Sequence, residues 1–111
     1  MRKDLWERVE ALERDLKLLG LLRLEAEQYL RQQPDPALKG LGKLIGTIEA
    51  VASHIETLSK EQVAALNSIG CDLEIEYGLA VSEQREFKGK EKRSVREAIG
   101  VLFDFLDEQI N

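Results

Sequence analysis

Cys71 and His54 are the only thiol and the only imidazole in the chain, so any nucleophile–base chemistry of the Cys–His kind would have to join these two. No local motif pairs them, and the simpler roles are a small hydrophobe for Cys71 and a polar residue near a helix end for His54. A carboxylate-bridged metal centre in a helical bundle needs Glu and His ligands, commonly with Glu-x-x-His on two helices. One histidine with no such motif before it does not meet that requirement. Gly40, Gly42 and Gly46 lie within a helical pattern rather than after a strand, so they do not form a phosphate-cradling loop. No catalytic residue, metal or cofactor is therefore assigned, and the chain is expected not to be an enzyme.

The remaining chemistry is electrostatic. Between Arg85 and Arg96 six basic side chains face two acidic ones, while the whole chain carries a net charge of −5. Lys88, Lys90, Lys92, Arg93 and Arg96 are candidate anion-binding residues, because cations beside a helix start can hold phosphate. Neither interleaved aromatics nor a nucleic-acid-binding motif accompanies them. Aromatics make up only 5% of the chain, which disfavours a stacking platform for bases. Acidic groups gather at Asp72, Glu74 and Glu76, and again at Asp104, Asp107 and Glu108, near the end of the last helical segment. Negative charge there opposes the helix dipole and would be relieved by a basic partner.

At 111 residues the chain predicts a single domain, 1–111, able to bury about two-thirds of its unfolded surface. A lone cysteine fits a reducing compartment. The start, Met1 to Trp6, leads into charged residues rather than a signal core. The greasiest stretch, Leu16 to Leu24, is broken by Lys17 and Arg23 and is too short to span a membrane. The expectation is a cytoplasmic protein with no membrane contact.

Four helical segments would position these groups. The first runs over about 3–32, with Leu5, Val9, Leu12, Leu16, Leu19, Ala26 and Leu30 expected on its inner face and Gly20 as a point where it could kink. Gln33-Pro34-Asp35-Pro36 ends it. The second covers about 37–58, its seam formed by Leu38, Leu41, Ile45, Ile48, Ala52 and Ile55, with Gly42, Gly46 and Ala50 along an edge open to close packing. Ser59 and Gln62 have the spacing of a capping box that opens the third helix, expected to reach about Phe87. Within it, Cys71, Leu73, Ile75 and Tyr77 alternate with acids as a strand would. Helix is favoured, because no second alternating segment is present to pair with such a strand. A charged connector, 88–93, precedes a fourth helix opened by Ser94 and Glu97, with Val95, Ile99, Leu102, Leu106 and Ile110 inward. The fold class is all-α: an antiparallel four-helix bundle, with a short strand near 71–77 as the minor alternative.

Apolar residues exceed what one seam per helix requires. Cys71, Ile75 and Leu79 form a second stripe on the third helix, and Leu18, Leu21 and Leu24 cannot all share the inner face of the first. Three explanations stand for the third helix: a central place in the domain, a self-association surface, or a true strand. For the leucines, a kink at Gly20 and contact with another chain have equal weight. The leading functional reading is a non-catalytic interaction module, an adaptor, assembly factor or small subunit. It would form a homodimer through Leu18, Leu21, Leu24, Cys71, Ile75 and Leu79. The alternative is a nucleic-acid-associated accessory subunit that uses the basic segment.

Overall fold

The computed structural model describes residues 2–32 and 38–110, which form four helices: α1 (Arg2–Gln32), α2 (Leu41–His54), α3 (Lys60–Ser82) and α4 (Gly89–Ile110). Among the described residues no strand occurs, and 71–77 lies inside α3. The helices pack in a ring: α1 lies beside α2 and α4, and α3 beside α2 and α4, while the backbones of the diagonal pairs stay apart. Glu25 pairs with Lys43, and the Asp15 carboxylate accepts the Glu56 backbone N–H just past the end of α2, so α1 and α2 run antiparallel. The apposition of Gly42 with Tyr77 and of Gly70 with Ile48 shows the same for α2 and α3. The Gln62–Gln109 bond joins the start of α3 to the end of α4. The result is the antiparallel four-helix bundle expected from the sequence.

Leu22, Leu41, Leu44, Ile48, Leu66, Leu73, Val95, Leu102 and Leu106 form its solvent-free centre. The α2 seam from Leu41 to Ala52 and the α4 seam from Val95 to Leu106 are therefore inside, and the side chain of Ile110 lies outside the described residues. Leu38 and Ile55 also pack on the core although they lie just outside α2. That helix is shorter than expected because Gly40 takes a left-handed conformation (φ 85°) before it and Ile55 is extended after it. The proline-bearing break at 33–36 lies outside the described residues.

Both halves of the Ser59–Gln62 capping box form, so α3 begins where the sequence indicates. It stops at Ser82 rather than near Phe87. Gln84 turns the chain at positive φ, and Phe87 enters the core from the loop. The Ser94–Glu97 spacing does not start α4, which begins five residues earlier. There the Glu91 carboxylate accepts the Lys88 backbone N–H at 2.8 Å and holds the Arg85 guanidinium, fixing the first turn. Most of the predicted charged connector is thus helical.

The main departure concerns α1. It is continuous through Gly20, and its buried positions are Ala11, Asp15, Leu19, Leu22, Ala26 and Tyr29. Leu5, Val9, Leu12, Leu16 and Leu30, expected inside, are exposed. The inward face is rotated by roughly one residue, about 100°. Asp15 explains the choice. Its carboxylate accepts the backbone N–H groups of Glu56 and Thr57 and the Thr57 hydroxyl, donors in the α2–α3 connection. Turning Leu12 and Leu16 inward would leave those donors without an acceptor.

Candidate interaction surface

With 31 residues α1 is the longest helix, about 46 Å, and it outruns its neighbours. Residues 4–10 are all exposed, and Ala11 is the first buried residue among those described. Along this projecting half Leu5, Val9, Leu12 and Leu16 follow one another at four, three and four residues, the a/d spacing of a coiled-coil seam. Leu5 is 64% exposed and Leu12 50%. Trp6, the only tryptophan, flanks the stripe and is 66% exposed. Glu10–Arg14 and Glu13–Lys17 have the acid-before-base spacing that supports an exposed helix.

The same stripe continues through Leu19 to Arg23, where its surroundings change. Leu19 is buried. The Arg23 guanidinium bonds the Asp107 carboxylate at 2.5 Å and Glu27 at 3.2 Å, and stands 5.9 Å from the centre of the Phe103 ring. The Asp107 bond, then that to Glu27, raises the Arg23 pKa above its ordinary value. Helix α4 thus occupies the lane beside the second half of the stripe. It ends at Ile110, three residues beyond Asp107, while α1 continues past that point with its leucines uncovered.

The other candidate residues divide between the diagonally placed helices α1 and α3. Leu21 and Leu24 are exposed on α1, whereas Leu18 packs partly against the core. Cys71, Ile75 and Leu79 are exposed on α3, the diagonal helix. Ile75 and Val101 line a shallow α3–α4 groove with Ala98, Ser94 and the carboxylates of Asp72, Glu76 and Glu97. The six residues anticipated as one surface are therefore two separate apolar regions. The regular spacing of Leu5, Val9, Leu12 and Leu16 predicts a core seam, and the structure places these residues on the surface instead.

The basic segment does not form one cradle. Arg85 is engaged by Glu83 and Glu91 and bonds the Glu86 carbonyl. Arg85, followed by the Lys88 backbone donor, holds the Glu91 carboxyl down to about 2. Lys90 and Lys92 are two positions apart in α4, so they leave the helix about 200° from each other. Lys88 precedes the helix, and Arg93 and Arg96 lie on its outer side and are exposed. His54 is exposed with Nδ1 2.8 Å from the Ala50 carbonyl.

Among the described residues no group of three or more His, Cys, Asp or Glu is placed to hold a metal ion, and no helix is long and apolar enough to cross a membrane. Comparison with protein-family models, curated proteins and solved structures gave no match.

Proposed function

We propose that the chain is a non-catalytic helical interaction module, an adaptor, assembly factor or small subunit, that self-associates through an exposed apolar helix face. The observation that carries this reading is the a/d stripe Leu5–Val9–Leu12–Leu16, whose four side chains are exposed on the projecting half of α1. A stripe of this period has no role in the monomer's core, and its burial against a second helix is favourable.

The magnitude is modest. Full burial of a large aliphatic side chain contributes about 1.5–3 kcal/mol, and these four are already partly covered, leaving about 1 kcal/mol each. Two chains together gain about 8 kcal/mol, against association costs of about 4–15 kcal/mol. The expected assembly is weak, concentration-dependent and only slightly affected by salt.

Light scattering coupled to size exclusion, run reduced at two salt concentrations on the native chain and on Leu12→Glu, tests it. The reading requires a native mass that rises towards the dimer with concentration, and a folded monomer for the variant. A native chain monomeric throughout would remove the self-association reading.

A further inference from the structure

We infer that the uncovered half of the α1 stripe receives the same half of α1 from a second copy of the chain, and that the two segments run antiparallel. The inference rests on the self-association proposed above and adds the surface, the orientation and the register. Its first support is the stripe itself. With a two-fold axis passing between Glu10 and Ala11, Leu5 meets the partner's Leu16 and Val9 meets the partner's Leu12, and the symmetry repeats both layers. All four apolar positions are used and none is left facing solvent.

The second support is the lane that α4 holds. A parallel partner would follow the stripe onward from Leu16 through Leu19 to Arg23. That path is filled by the end of α4, whose Asp107 and Phe103 sit on Arg23. A parallel helix would have to expel α4 or diverge after a few turns. An antiparallel partner approaches from the opposite end, fills the side from Leu16 to Leu5, and leaves the Arg23 contacts untouched.

Charge complementarity gives the third support. Antiparallel register brings the start of the partner's α1 to the end of α4, almost end to end. Helix starts are electropositive because their first N–H groups are unpaired. The end of α4 carries Asp104, Asp107 and Glu108, with no basic residue in its last turn. Of these, Asp104 and Glu108 are exposed, and their unfavourable position on α4 becomes favourable beside the partner's helix start.

The test measures orientation directly. Cys71 is exposed, so Cys71→Ser removes it and Gln28→Cys leaves one labelling site on the exposed side of α1. A nitroxide is attached there, and double electron–electron resonance is read alongside light scattering on the same samples across a concentration series. The antiparallel pair places the two labels about 50 Å apart along the helix direction, since each lies 17 to 18 residues from the two-fold axis. A parallel pair places them within about 30 Å, because packed helix axes are only about 8–10 Å apart. A dimer with the long distance, weakened about tenfold or more by Leu12→Glu, is the expected result. A dimer with the short distance overturns the antiparallel arrangement and leaves self-association standing. A dimer indifferent to Leu12→Glu places the interface elsewhere and overturns the inference, and a monomer throughout overturns both proposals. Asp104→Lys combined with Glu108→Lys is a second variant that favours the α4 dipole, so its fold is retained; antiparallel pairing requires it to weaken the dimer several-fold.

Discussion

The Asp15 carboxylate accepts the Thr57 backbone N–H at 2.6 Å, across the junction where α1 passes the α2–α3 connection. It also takes the Glu56 N–H and the Thr57 hydroxyl, so one buried acid satisfies three donors of the loop. A buried side chain with this many partners locks the rotation of its helix. It decides at once which residues of α1 enter the core and which are left exposed.

Asp15→Ala should therefore be among the most damaging substitutions on α1. Bonds to a charged acceptor contribute about 1.5–3 kcal/mol, and buried donors left unpaired add about 1–3 kcal/mol. The expected loss is about 3 kcal/mol, read as a lower urea midpoint with little change in slope. Asp15→Asn keeps one acceptor oxygen and should lose less. A variant within about 0.5 kcal/mol of the native chain would show that Asp15 does not hold the loop.

Why the inward face of α1 differs from its spacing, when the faces of its neighbours follow theirs, traces to the same residue. In α2 and α4 one apolar stripe dominates, and Ile48 or Leu102 could only be inside. In α1 two stripes have helical period. The richer one, Leu5 to Leu16, contains only large aliphatics, whereas the buried one includes Ala11 and Asp15. The second stripe wins because donors at 56 and 57 need an acceptor, a requirement some forty residues away in sequence and invisible to local spacing. The α4 start misled for a related reason. Ser94 and Glu97 mimic a capping box, but Glu91 anchors the helix earlier through Arg85, in the preceding loop. Capping at Ser59 was legible because both partners lie within four residues.

Two glycines on α2 should respond differently to alanine. A Cβ at Gly42 would lie 2.7 Å from the Tyr77 hydroxyl and 3.1 Å from ring atom Cζ, so the half-buried ring must move. A Cβ at Gly46 meets nothing within 4 Å, and the close packing expected along that edge stops at Gly42. Gly46→Ala should stabilise the fold by about 0.5–1 kcal/mol through helix propensity. Gly42→Ala should fall about 1 kcal/mol or more below it, because overpacking cancels the same gain. Thermal melts of the two variants side by side give the comparison, and equal melting temperatures would refute the role given to Tyr77.

Acid should weaken the junction between α3 and α4. Arg85 and the Lys88 N–H lower the Glu91 carboxyl from its ordinary value of 4.5 to about 2. Between those values the unfolded chain binds the proton that the folded chain does not, so stability falls as pH falls through this window. Above it the contribution is fully present. Glu91→Gln should lower stability near neutral pH and flatten the acid limb between about 4.5 and 2. Urea midpoints measured across this range would contradict the assignment if native chain and variant lost stability in parallel.

Trp6 offers the simplest view of the surface in solution. It is the only tryptophan, it flanks the Leu5–Leu16 stripe, and the monomer leaves it 66% exposed. Association along that stripe removes water from one side of the indole, so emission should shift to the blue as concentration rises. The shift should track the light-scattering mass and survive added salt, because an apolar seam is little screened. Leu12→Glu puts a charge in the seam without altering the core, and should abolish the concentration dependence while leaving the melting temperature of the dilute protein nearly unchanged. If association proceeds by mass with no change at Trp6, the chains meet through another surface, and the Ile75–Val101 groove between α3 and α4 becomes the place to substitute next.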